Sequence, residues 1–267
     1  MCKALNFPRS TYYKALLHVP SSRQIQAKQI KVAIMKIWKD SKRRYGAPKI
    51  TKILQHQGKF VSVKRVQRYM KELHICSIVV KKYRYYTEKT SVENKENLLN
   101  RDFSTTKIHQ KWCTDITYIH TSKDGWTYLA SVMDFHSKKI IGYAYDTSIT
   151  AELAVKAVKN ACLNVKNTNG IILHSDLGSQ YTSSIFENYL KTKGILHSFS
   201  RKGNPYDNAC IESFHSVLKK EEVNCNKYYD FKIAKTAIFE YIESWYNRKR
   251  IHSSINYMTP QEAHAVS

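Results

Sequence analysis

Along residues 22–43 the apolar positions Ile30, Val32, Ala33, Ile34 and Ile37 interrupt a mostly basic background, a pattern that predicts a helix. A turn carrying Gly46 and Pro48 follows. A short helix is then expected from about Pro48 to His56, with Gly58 as its stop. Ser62 is placed to cap the next helix. In that helix Val66, Met70 and Leu73 recur at i, i+4 and i+7 as a buried stripe. Lys64, Arg68 and Lys71 repeat the spacing on another face, with Arg65 beside them. Two short helices around a glycine-containing joint, the second with a basic stripe, form a helix-turn-helix pattern that suits DNA. A solvated basic face on a small bundle is the other reading.

From 78 to 107 the periodicity breaks up, which predicts a basic linker between a helical region (1–77) and a second domain (108–267). Tyr83, Tyr85 and Tyr86 sit among its charges. That mixture suits contact with a DNA backbone or an unstacked base, and equally a solvated linker. After Lys107 the pattern turns to strands. KWCTDITYIH, WTYLASVMDFH and KKIIGYAYDT are rich in β-branched and aromatic residues and are separated by SKDG and by a Ser-Lys bend. They read as an antiparallel meander. TAELAVKAVKNACLN is an amphipathic helix, GIILHSD a short strand, SSIFENYLKTKG a helix and ILHSFS another strand, before a last amphipathic helix. The fold class predicted is α/β, a mixed sheet flanked by helices and preceded by a small all-α domain. This is the element order of ribonuclease-H-like domains.

Charge sharpens the picture. The 267 residues carry a formal net charge of +23 and a pI near 9.7, which points to a polyanionic partner, most often nucleic acid. Residues 1–100 hold 23 Lys and Arg against 5 Asp and Glu, while residues 101–267 hold 21 against 16. The N-terminal third therefore reads as a phosphate-binding module. The six cysteines, at 2, 76, 113, 162, 210 and 225, form no C-x-x-C pair and no zinc-finger spacing with histidine. They read as free thiols in a reducing cytosol. No apolar stretch reaches the length of a membrane span, and the first residues show no signal-peptide core.

The acids of the second domain are its chemistry. Asp115 interrupts an apolar strand, where a carboxylate is costly unless paired or bound to metal. Asp176 ends the strand GIILHS, and strand ends are where mixed sheets bind ligands. Glu212 lies on the last helix, on a face shared with Asn208, Ser216 and Lys219. Sixty residues separate the first two acids and thirty-five the last two. Three carboxylates from two strands and a helix can converge on hard divalent cations such as Mg²⁺. Two such ions serve phosphoryl transfer. Each acid singly has a structural reading, as a turn cap or an Arg partner, and Asp134, Asp146 and Asp207 compete for the role.

WCTDITYI, HSDLGSQYTS and SRKGNPYDNACIESFHSVLKKE together resemble the catalytic core of the retroviral integrase superfamily, and more narrowly the second reading frame of insertion-sequence-3-type transposases. The resemblance spans residues 25–265. It includes RRYGAPKI and VSVKRVQRYMKEL upstream and the C-terminal YNRKRIHSSINYMTPQEA, with Tyr246, Asn247, Arg250, His252 and Pro260. It implies that Asp115, Asp176 and Glu212 are catalytic metal ligands, holding two Mg²⁺ for which Mn²⁺ can substitute. Lys219, seven residues after the Glu, would hold the DNA. Lys64, Arg65, Arg68, Lys71, Arg201, Lys202, Asn208, Arg250 and His252 are further expected DNA contacts, Asn208 alternatively orienting Glu212. Leu177 departs from the Arg that many relatives carry, which is expected to change a DNA contact. The implied activity is cutting and joining of DNA strands at element ends and target, by a homo-oligomer in a bacterial cytoplasm. NFPRSTYYKAL resembles the end of a longer unit, so a partner or fusion from an upstream frame is also implied. A ribonuclease-H-type nuclease and a silent DNA-binding regulator are the competing functions.

Overall fold

The computed structural model describes residues 8–17, 19–78, 96–100, 102–200 and 208–266. It divides into two compact units between Ile78 and Val79.

The first unit is helical: α1 (Arg9–Leu16), α2 (Ser22–Asp40), α3 (Ala47–His56) and α4 (Val63–Glu72). Ser21 and Gln24 form a capping box at the start of α2. Ser62 caps α4 by accepting from the Arg65 N–H at 3.3 Å. Ile30, Ile34 and Ile37 of α2 meet Ile50 and Leu54 of α3 and Val66 and Met70 of α4 in the core. Val32 points away from it and is 65% exposed. After α3 the chain reverses at Gly58, whose φ of 74° is a left-handed conformation that glycine adopts without strain.

The second unit is a five-stranded sheet in the order β3-β2-β1-β4-β5, comprising β1 (Lys111–Thr121), β2 (Gly125–Asp134), β3 (Ile140–Asp146), β4 (Ile172–Ser175) and β5 (Leu196–Phe199). The first three strands run antiparallel, and β4 and β5 run parallel to β1. Alternate residues of each strand face opposite sides. Trp112, Ala130 and Val132 pack with Leu153, Ala157 and Val158 of α5 (Ala151–Cys162) and with Phe186 and Leu190 of α6 (Ser184–Thr192). Gly142 permits the close approach of α5, since a Cβ there would fall 2.4 Å from the Ala161 nitrogen. The opposite face carries Asp115 and Ser131 and packs against α7 (Ala209–Glu221).

Residues 96–100 and 102–107, expected to be linker, belong to this second unit. Leu99 is buried, and its N–H donates to Ser198 Oγ at 3.3 Å. Lys111 Nζ donates to the Asp102 carboxylate at 2.9 Å. An apolar side chain within the polar run is what ties it down. Tyr83, Tyr85 and Tyr86 lie outside the described residues.

The C-terminal extension is α8 (Phe231–Glu240), a π-helical turn (Tyr241–Tyr246) and α9 (Pro260–Ala265). It closes on α7 and β3. Glu221, at the end of α7, is buried and accepts from Tyr241 Oη at 3.0 Å, Trp245 Nε1 at 3.1 Å and Arg250 Nε at 3.1 Å. Asn247 accepts from the Ile140 N–H and donates to the Ile140 carbonyl, each at 3.0 Å. Arg250, expected at the DNA, is only 7% exposed and its guanidinium is spent on Glu221. The C-terminal signature is therefore a clasp. His252 belongs to it as well, half-buried with its ring edge-on to Tyr246. Arg250→Met is expected to cost about 3–5 kcal/mol by stranding a buried carboxylate. Denaturant unfolding measures that cost, and a loss below about 1 kcal/mol would contradict the clasp.

Candidate active site

Each of the three predicted acids is placed by a different element. Asp115 lies midway along β1, paired in register with Ser131 of β2. Its carboxylate accepts from the Ile116 N–H at 2.8 Å and approaches His215 Nδ1 at 3.3 Å. Asp176 follows the last residue of β4 and accepts from the Gly178 N–H at 3.0 Å, a tight local turn that fixes its side chain. Glu212 stands on the first turn of α7 and is exposed.

The three interact electrostatically. Burial and the neighbouring Asp115 charge push Asp176 up to about 6, against the opposing pull of the Gly178 N–H. Glu212 is also raised, first by burial and then by Asp115 and Asp176, while His215 pulls it down. No Lys or Arg forms an ion pair with any of the three among the described residues. Nor, among those residues, do any three Asp, Glu, His or Cys side chains close into a finished metal-ligand cluster. The acids are thus within electrostatic range of one another in an open arrangement. Hard oxygen donors that disfavour one another's charge, with no Lys or Arg paired to them among the described residues, fit an oxygen-seeking divalent cation.

The helix face around Glu212 differs in detail from its sequence reading. His215, one turn on, is the residue that reaches Asp115, and its Nε2 lies 3.3 Å from Ser131 Oγ. The His215 side chain is buried, whereas Ser216 is half-buried. The i, i+3 spacing from Glu212 was visible in the sequence, but nothing local marks His215 as facing the sheet. Asn208, expected as a DNA contact or to orient Glu212, is buried and donates to the Thr114 carbonyl at 3.4 Å, which joins α7 to β1. Its Oδ1 has no partner among the described residues. Lys219 is half-buried at the far end of the same face.

Two of the competing acids, Asp134 and Asp146, have structural roles. Asp134 is fully buried and accepts from the N–H groups of His109, His136 and Ser137. Asp146 is exposed and caps the end of β3 through the Thr147 N–H at 2.7 Å. Asp207, Arg201 and Lys202 lie outside the described residues. In the first unit Lys64, Arg68 and Lys71 are exposed on α4. Arg68 lies 3.7 Å from Glu72, and Arg65 is half-buried with its Nε donating to Tyr69 Oη at 2.9 Å.

Comparison with known families agrees with this architecture. A family model described as "Integrase core domain" matches residues 105–205, a second of the same description matches 193–260, and an "HTH-like domain" matches 25–83. The second unit is an integrase-type core, the class of the polynucleotidyl transferases. Over 247 residues the chain is 38% identical to a transposase for insertion sequence element IS904 from Lactococcus lactis, covering 91% of this chain and 96% of the relative. It is 34% identical to the transposase InsF for insertion sequence IS3A of Escherichia coli, over 98% of this chain and 92% of that one. A 31 kDa protein of insertion element IS600 from Shigella sonnei is 35% identical, over 97% and 96%. The chain belongs to the IS3 family of insertion-element transposases.

The raised Asp176 carboxyl has a stability consequence. Its folded value, about 6, lies above that of an unfolded Asp, about 3.9, so ionisation weakens the fold. The penalty is absent below about pH 4 and complete above about pH 6. Asp176→Asn is therefore expected to stabilise the protein by about 1–3 kcal/mol at pH 7 in chelator, and by almost nothing at pH 4. Unfolding curves at the two pH values check this, and an equal effect at both would remove the coupling.

Proposed function

We propose that this transposase cuts and joins DNA strands at the ends of its element and at target DNA, through divalent cations held by Asp115, Asp176 and Glu212. The observation that carries the reading is the gathering of three carboxylates within electrostatic range of one another, from β1, the end of β4 and α7, with no Lys or Arg paired to them among the described residues.

The chain's residues supply position. Asp115 and Asp176 offer oxygens from the rigid centre of the sheet. Glu212 offers a third from a helix pinned by Asn208 and His215. Fixing attacking and leaving oxygens in line removes much of the entropic barrier. Bound there, Mg²⁺, or Mn²⁺ in its place and two ions in all, would activate a water or a 3′-hydroxyl and stabilise the departing oxygen. Lys219, about two helical turns from Glu212, is placed to hold a phosphate further along the strand. The exposed α4 stripe of Lys64, Arg68 and Lys71 supplies phosphate contacts from the first unit. Cutting two ends in concert calls for more than one copy on DNA, and a partner from an upstream frame is compatible with this. The reading places the protein in a bacterial cytoplasm. No helix among the described residues is long and apolar enough to cross a membrane.

Glu212→Gln is expected to lower joining of an element end to plasmid DNA by about a thousandfold, the scale of several kcal/mol of lost charge stabilisation. Affinity for the DNA should hold within about twofold. A fully active Gln variant would sink the assignment. Replacing Lys64, Arg68 and Lys71 together by Ala should weaken binding at all sequences and flatten the salt dependence by about two to three in log–log slope. An unchanged slope would place the phosphate contacts elsewhere.

A further inference from the structure

Beyond Asp115, β1 runs on to a hairpin whose end is aromatic. Tyr118 is 50% exposed and Trp126 58%. The register sets Tyr118 opposite Tyr128 and His120 opposite Trp126. These rings meet edge to face, with centroids 5.4 Å apart for Tyr118 and Tyr128 and 5.1 Å for His120 and Trp126. Each edge-to-face contact occupies one face of one ring only, and Tyr118 and Trp126 keep half or more of their surface exposed.

The edge of β1 is open here, because β4 pairs only with Lys111–Cys113. The segment after α7 comes alongside instead. Tyr228 bridges Thr121, the Ser122 N–H donates to the Tyr228 carbonyl at 2.9 Å, and the Asp124 carboxylate accepts from the Phe231 N–H at 2.7 Å. Between hairpin and segment lies a cleft of about 880 Å³. Lys219, Lys227, Asn224 and Asn226 line it with the aromatics, and no acidic side chain does. Glu212 and Lys219 share one face of α7, about 10 Å apart along its axis.

We propose that this cleft binds one or two unpaired bases of the DNA strand held at the acids. Tyr118 and Trp126 stack on the bases, and Lys219 and Lys227 meet the flanking phosphates. The proposal rests on the reading that the acid site works on DNA, and it adds a subsite for single-stranded nucleotides. Stacking on aromatic faces tolerates any base sequence, and a lining that holds two lysines and no acidic side chain favours a polyanion. The hydrogen bonds between hairpin and segment make the cleft preformed, so little ordering cost opposes binding. A protein partner would suit the apolar rings alone, whereas rings and two lysines in one lining suit the bases and phosphates of a single strand.

The test uses the full chain in EDTA, where no strand is cut. The probes are a blunt duplex and the same duplex with a few unpaired nucleotides at either end, carrying a fluorescent adenine analogue in the overhang. Wild type should bind the overhang duplex more tightly and quench the analogue. Trp126→Ala should weaken overhang binding by roughly five- to 150-fold, with the blunt duplex unchanged. Trp126→Phe, which keeps a stacking face, should restore most of the loss. Equal affinities of wild type and Trp126→Ala for the overhang, or equal losses on both probes, overturn the proposal. So does a Trp126→Ala variant whose only change is a lower mass in sedimentation, which would make the patch a protein contact. Joining that depends on Glu212 while Trp126→Ala binds normally would leave the proposed function standing and remove the subsite. Failure of wild type to bind any DNA would remove both.

Discussion

Mutual repulsion among Asp115, Asp176 and Glu212 is the constraint that the second unit has to withstand. Asp176 bears it most visibly, its carboxyl pushed up to about 6 by burial first and by the Asp115 charge second. A sheet alone would relieve such strain by letting the third acid swing away, since Glu212 belongs to a helix and not to a strand. The structure prevents this at both ends of α7. Asn208 ties its start to the Thr114 carbonyl, and His215 reaches Asp115 and Ser131 from its middle. Glu221 anchors its end in a clasp of Tyr241, Trp245 and Arg250. The free energy that supports the charged site comes from elsewhere, chiefly the apolar layer between the sheet and α5 and α6.

That division explains why the C-terminal extension is part of the core. Its π-helical turn and the residues just after it hold three side chains that reach inward. Tyr246 donates to the Lys138 carbonyl at 3.2 Å, Asn247 brackets Ile140, and Arg250 neutralises Glu221. The aromatic cleft beside β1 depends on the same framework, because its second wall is the segment that leads from α7 into α8. The buried clasp and the walls of the cleft are therefore joined through one helix.

Much of this was legible in the chain. Helix periodicity located α2, α3 and α4, and Ser62 announced its cap. Alternation and β-branched content located the strands, because a half-buried strand writes its two faces into successive residues. Asp115 stood out since an ionised side chain in an apolar strand requires an external reason. Other residues carried no such mark. His215 and Ser216 are adjacent polar residues on α7, and only the docking angle of the helix turns the first toward Asp115. Arg250 was expected at DNA only through the family resemblance, and its local sequence gives no sign of the buried pair with Glu221. Leu98 and Leu99 were one apolar pair in a polar run, too little to signal docking on β5.

The sequence by itself determined the elements, the IS3-type resemblance and the three acids with their spacing, because local periodicity and chemically costly residues are properties of the chain alone. Tertiary structure decided which cations remain available to DNA, which polar side chains of α7 serve the site, and where the aromatic hairpin meets Lys219 and Lys227. Those outcomes depend on burial and on partners distant in sequence. The Glu221–Arg250 pair spans 29 residues and the Asp115–His215 contact spans 100, so no window of sequence contains both halves.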